Sequence, residues 1–280
     1  MARPRLILVE GIPGSGKTST ACYVRDRLER HGAPARLFLE GDWDHPADFE
    51  SVACLTEADL ADLRARFPDH EGFLAQHARQ DNGMWFFSYR RLQAEHEGAP
   101  DALLDALAQF DVYNLPAERF QALLSAKWRR FVADAIGGDA VYVFECCFLQ
   151  NPITTLLAYH NLPADSVRRY IGTLAEIVRP LAPHLIYLAR RDVAETLEAV
   201  RRERPPAWAD HVIRYLTGQA YGEAHDLRGF DGVIEFYARR QALELELLPS
   251  LPFSATAIAD VGDWAVRYEA VAACLGDSRV

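Results

Sequence analysis

The chain has 280 residues, half of them hydrophobic, and a net charge of −10. Such a composition supports a sizeable core and excludes a disordered chain, while the negative charge opposes contact with nucleic-acid phosphates, so no nucleic-acid partner is expected. No run approaches the roughly 20 apolar residues of a membrane span, and the short run after Arg3 and Arg5 is not a signal peptide, so a cytoplasmic location away from membranes is expected.

In chain order, residues 6–9 form a short apolar run followed by glycine and proline, which predicts a buried strand. Residues 19–30 have helical spacing and stop before Gly32. Residues 35–39 are a second apolar run, joined to the first by a right-handed crossover if the two are parallel. From 45 to about 138 the pattern is helical, with breaks near Pro68, Gly83, 98–100 and Pro116 and one long amphipathic helix over 117–136. A third strand is predicted over 140–144. A helix over 165–178 takes Asp165 as its cap, and a fourth strand spans 184–189. Asp192 caps the next helix, which stops at Pro205 and Pro206. A helix over 234–248, a fifth strand over 254–260 and a helix over 263–275 close the chain. Strands alternating with helices predict an α/β fold with a mostly parallel sheet. The expected organisation is a core of residues 1–44 and 139–280, with a helical insertion over 45–138. The five cysteines, Cys22, Cys54, Cys146, Cys147 and Cys274, are odd in number and irregular in spacing. They suggest neither a disulfide framework nor a structural zinc site.

Gly11-Ile12-Pro13-Gly14-Ser15-Gly16-Lys17-Thr18 matches G-x-x-x-x-G-K-[ST] at every fixed position, between a predicted strand and a predicted helix. Glycines let the backbone turn its N–H groups toward phosphate oxygens, and the helix that follows adds its positive end. Gly11, Pro13, Gly14, Ser15, Gly16, Lys17, Thr18 and Ser19 are therefore candidate binding residues for a nucleoside triphosphate, with ATP and Mg²⁺ the expected pair. Lys17 is placed to reach the terminal phosphates and Thr18 to offer its hydroxyl to Mg²⁺.

Motor ATPases need a strand ending in an acidic pair, whereas the third strand ends in the single acid Glu145 and the fourth in Ala189. GTPases need N-K-x-D, which the chain lacks. Glu10-Gly11 leading into the loop, Glu40 after the second strand, Glu145 after the third, and Arg201, Arg202 and Arg204 together resemble the P-loop kinases of small molecules. The thymidylate kinases and deoxyribonucleoside kinases are the nearest in pattern. The resemblance covers the core and lid but not the insertion. It implies a P-loop NTPase fold of the nucleoside/nucleotide kinase type: a three-layer sandwich around a five-stranded parallel sheet, with a lid near 190–206, and the insertion is separately expected to form a helical substrate cap. It implies that Glu40 or Asp42 takes the proton of an attacking hydroxyl, that Glu145 lies near Mg²⁺ and Lys17, and that lid arginines such as Arg201 and Arg204 neutralise charge on the moving phosphoryl group. Cys146 stands where that family usually has an arginine.

From Glu40 to Glu71 ten acids face only Arg64 and Arg66. That balance suits a neutral or cationic acceptor, such as a nucleoside, an amino sugar or a basic antibiotic, and it equally suits a solvated helix face. Trp43, Trp85, Phe86, Phe87 and Tyr89 read either as an aromatic pocket or as core, and Asn151 either faces the site or starts a turn before Pro152. The expected function is an ATP- and Mg²⁺-dependent phosphotransferase acting on a small-molecule hydroxyl. An ATPase switch acting on a protein partner is the alternative, and a homodimer stays open.

Overall fold

β1 (Leu6–Gly11) is buried at every position, as expected of a central strand covered on both faces. The computed structural model describes residues 4–96, 100–259 and 264–275. The chain forms two compact units, Met1–Glu40 with Ser125–Val280, and Gly41–Leu124. After β1 come α1 (Lys17–Arg30) and β2 (Ala35–Phe38). The second unit then supplies β3 (Val52–Leu55), α2 (Glu57–Arg66), α3 (Glu71–His77), β4 (Arg79–Asp81), β5 (Met84–Ser88), α4 (Tyr89–Glu95) and α5 (Asp101–Ala108). α6 (Ala117–Ala135) leads back to β6 (Val141–Glu145). α7 (Gln150–Thr154) continues through a π-helical turn at Thr155–Tyr159, followed by α8 (Ala164–Val178) and β7 (His184–Leu188). The chain ends with α9 (Val193–Glu203), α10 (Pro206–Thr217), α11 (Ala220–Ala224), α12 (Gly229–Leu247), β8 (Ser254–Ile258) and α13 (Trp264–Cys274).

The first unit is an α/β structure. Its five strands are ordered β2-β6-β1-β7-β8 and all neighbours are parallel. Alternation along β1 divides the core. Ile7 and Val9 pack with Ala21 and Val24 of α1 and Val271 of α13 on one face. On the other face Phe144 of β6 meets Trp128 and Phe131 of α6, and Tyr187 of β7 bonds Glu244 of α12. Helices thus flank the sheet, consistent with three layers. From the central strand the chain first leaves toward β2 and later returns on the opposite side at β7. The carboxyl end of such a strand is where ligands bind in open parallel sheets. Among the described residues no helix is long and apolar enough to cross a membrane.

The second unit was expected to be helical, yet it contains an antiparallel sheet ordered β3-β5-β4. Its cause is a two-residue hairpin: Asp81 pairs with Met84, and Asn82 and Gly83 between them have φ of 47° and 74°. Asn-Gly is the pair that best tolerates positive φ at both turn positions. Phe87, Ala53 and Leu55 carry the sheet's buried face onto Leu60 and Leu63 of α2 and Leu103 and Leu107 of α5. Phe86 and Phe87 are buried core residues, while Trp43 is half-exposed beneath the Arg91 guanidinium.

One local expectation is corrected and another is extended. Asp165 is not the cap of α8. Pro163 is, through its extended backbone, and Asp165 sits in the first turn paired with Arg168 at 2.8 Å. The Pro205-Pro206 break ends α9 and also starts α10, because proline at the first helical position lacks only an N–H that would be unpaired anyway. Asp260 and Asp263, the expected limits of the last strand and helix, and Gly98, one of the expected breaks, lie outside the described residues.

Candidate functional site

β1 delivers the chain directly into the glycine-rich loop. Gly11, Gly14 and Gly16 have φ of 150°, 77° and 90°. At Gly16 a side chain is excluded twice over, since a Cβ there would lie 2.3 Å from Arg267 Nη1. The loop closes on itself: the Ser15 N–H reaches Ile12 O at 3.2 Å, and Lys17 Nζ reaches the same oxygen at 3.0 Å. α1 then begins with Gly16 as N-cap, no side-chain cap and no acid in its first turn. The first N–H groups of a helix have no partner within it, and its positive end favours negative charge. Lys17 is only 5% exposed. Ser15 Oγ and Thr20 Oγ1 are buried without a hydrogen-bond partner among the described residues. A cradle of N–H groups, one cation and a hydroxyl suits an anion.

Beside it stands a carboxylate centre. Val9 of β1 pairs with Glu145, the last residue of β6, which brings that acid to the loop. Thr18 Oγ1 donates to Glu145 Oε1 at 2.7 Å, and the Glu40 N–H approaches Glu145 Oε2 at 3.4 Å. Glu40 is exposed but anchored: Gln150 Nε2 donates to its Oε1 at 2.9 Å and the Cys146 thiol to its Oε2 at 3.4 Å. Burial raises the Cys146 thiol well above its ordinary pKa, so it stays a neutral donor. Cys146 has φ of 67°, an uncommon conformation for a residue with a side chain. It is held by its N–H to Val9 O and by Asn151 N–H to its own carbonyl. Ligand atoms of Glu40, Glu145 and Cys146 all lie within 4.8 Å of one another. The oxygens of Thr18 and Glu145 are hard donors of the kind Mg²⁺ takes, one or two at a time beside phosphate oxygens, so the residues present fit that ion.

Behind the loop lies a buried polar layer, of which the sequence signals only Glu10. Glu10 is fully buried, and its two carboxylate oxygens accept the N–H groups of Phe148 and Gln150 at 2.9 and 3.0 Å. Desolvation raises its pKa to about 7, against the pull of those N–H groups, and the charge of Glu244 adds to the rise. Arg240, also fully buried, donates to Gly11 O at 3.1 Å and Thr154 Oγ1 at 2.9 Å. Its Nε lies 3.2 Å from Glu244 Oε1 without the alignment of a hydrogen bond. Tyr187 donates to Glu244 Oε2 at 2.6 Å.

The arginines divide differently from expectation. Arg190, just past β7, donates to Gly14 O at 2.8 Å, and Gln241 of α12 holds its backbone through both N–H and C=O. Arg201 instead lies over the Phe230 ring at 4.6 Å and 3.5 Å from Glu198. Arg204 is exposed at the end of α9. Asp42 belongs to the second unit, where its carboxylate accepts the Asp44 N–H at 2.9 Å. Several acids of the run from Glu40 to Glu71 are likewise committed locally: Asp44 to Arg91, Asp48 to Tyr113, Glu57 to Trp85 and Asp59 to Thr56. Those acids carry local contacts of their own. Ser19 is exposed in the first turn of α1 and Pro13 half-buried in the loop. No protein-family model matches the chain, and no curated protein matches it.

Proposed function

We propose that this chain is a P-loop kinase that transfers the terminal phosphoryl group of Mg·ATP to a hydroxyl of a small neutral or cationic molecule, such as a nucleoside, an amino sugar or a basic antibiotic. The observation that carries the reading is the pairing of an uncapped, lysine-bearing loop with the Thr18–Glu145–Glu40 chain of contacts. Lys17 exchanges Ile12 O for the terminal phosphates. Thr18 and Glu145 would hold Mg²⁺, whose bound charge offsets that of the phosphates. Glu40, the exposed member of the centre, receives the acceptor's proton. The acceptor oxygen forms its bond to the γ-phosphorus as the bond to ADP's bridging oxygen breaks, and the electron pair leaves with ADP. Positioning and charge neutralisation supply most of such a rate. Arg190, already on the loop, is better placed for the second task than Arg201 or Arg204. Glu40 is held by the neutral donors Gln150 and Cys146 rather than by a cation, which disfavours an acceptor that already bears a phosphate.

The test is to incubate the chain with Mg·ATP and pooled nucleosides, amino sugars and basic antibiotics, and to look by mass spectrometry for the gain of one phosphoryl group. Wild type should phosphorylate a member of a pool and Lys17→Ala should not. Hydrolysis that depends on a protein partner, with no phosphorylated small molecule in any pool, would sink the proposal.

A further inference from the structure

Cationic side chains from different elements hold four carbonyl oxygens of the loop. Arg240 of α12 takes Gly11 O, Lys17 takes Ile12 O, Arg190 takes Gly14 O, and Arg267 of α13 takes Ser15 O at 3.0 Å. A trans peptide points its C=O and the following N–H in opposite directions, and the described residues contain no cis peptide. Fixing a carbonyl therefore aims the next N–H at the other face of the loop. For Gly14 O that next N–H belongs to Ser15, which is spent on Ile12 O. For Ser15 O it belongs to Gly16, the residue that starts α1, where an anion would sit.

We infer that Arg267 is a positioning residue for the phosphates: the last helix reaches the loop from outside and sets the Ser15–Gly16 peptide so that the Gly16 N–H faces the bound anion. The inference rests on reading the loop as a phosphate site and adds a determinant that no local motif contains. Arg267 is only 6% exposed. Its guanidinium rests on the Trp264 ring at 4.5 Å, and that ring also approaches Gly16, 3.0 Å from where a Cβ would be. Absence of a side chain at Gly16 is what admits both groups. A guanidinium is planar and always charged, so once stacked it loses little further freedom on bonding a carbonyl. Arg267 touches the loop backbone on the side away from the Gly16 N–H, so it acts through the peptide and not on the ligand.

The test measures binding of two probes, ADP and inorganic tripolyphosphate, by calorimetry to the full chain and its variants, with thermal melting as a check of folding. Arg267→Met should weaken both probes by a similar factor, about tenfold to a hundredfold, the worth of a charge-assisted hydrogen bond. Arg267→Lys, which keeps a charged donor, should recover most of the loss. Trp264 is 47% exposed, so Trp264→Leu should fold normally while unseating the guanidinium, and weaken both probes about threefold. Unchanged affinities in Trp264→Leu and in a folded Arg267→Met overturn the inference and leave the phosphate loop standing. Loss of ADP affinity with tripolyphosphate unaffected overturns it too, since the effect would then lie on the nucleoside. If wild type binds neither probe, the phosphate-site reading fails and takes this inference with it.

Discussion

Replacing Glu10 by glutamine should change how stability depends on pH. The Glu10 carboxyl is wholly buried, and its pKa stands at about 7 against an ordinary 4.5. Below the ordinary value the group is protonated in both folded and unfolded chains, and its contribution to stability is fully present. As pH rises, the unfolded chain loses the proton first, so the contribution fades and is gone once pH passes the folded value. The gap is worth about 3 kcal/mol in all, of which ~2.5 kcal/mol falls between about pH 5 and pH 8. Glutamine does not titrate. It offers one acceptor oxygen where Phe148 and Gln150 present two N–H groups, a fixed cost of about 1–3 kcal/mol that leaves the slope alone. Urea unfolding of both chains at four pH values and constant ionic strength gives the difference directly. Wild type should lose ~2.5 kcal/mol relative to Glu10→Gln across that window, with Glu244 adding to the same sign through its charge on Glu10. Parallel curves would show that Glu10 titrates normally and that the buried layer behind the loop is wetter than its packing indicates.

Three further outcomes are expected. Thr18→Ala removes the hydroxyl bonded to Glu145, so the gain in ADP affinity on adding Mg²⁺ should shrink by about tenfold in calorimetric titrations. Arg240→Met strands Glu244 in the interior with only the Tyr187 hydroxyl, costing about 3–5 kcal/mol in denaturant titration, and adding Glu244→Met should restore about half or more of it. Gly83→Ala should cost about 1–2 kcal/mol in thermal unfolding through its φ alone, because a Cβ at that position meets nothing within 4 Å.

The parts readable from sequence were those whose signal is local. The strands at 6–9, 140–144 and 184–189 are continuous apolar runs, and they are the three adjacent central strands β1, β6 and β7. The loop's glycines are bound to their backbone geometry, and Glu145 follows its strand at once. The second unit's sheet was missed although Asn82-Gly83 announced a hairpin. β4 is too short and polar to show alternation, and Met84-Trp85-Phe86-Phe87 reads equally as helix or strand. Of the arginines on the loop, Arg190 falls at the start of the expected lid, whereas Arg240 and Arg267 had no such signal. Arg190, Arg240 and Arg267 reach the loop across 176, 229 and 252 residues of chain, and only the assembled fold brings them there. Arg201 and Arg202 form a cluster in sequence, but a basic helix end is also what the helix dipole favours, and the Arg201 guanidinium rests on Phe230.

Binding of a nucleoside triphosphate's phosphates with Mg²⁺ by residues 11–18 is the step on which the proposed function depends. Its most direct test is calorimetric titration of a non-hydrolysable ATP analogue into wild type and Lys17→Ala, each with and without Mg²⁺. Saturable binding to one site, strengthened by Mg²⁺ and lost in a folded Lys17→Ala, is the predicted result. No binding to wild type, or equal binding to both chains, would contradict the account.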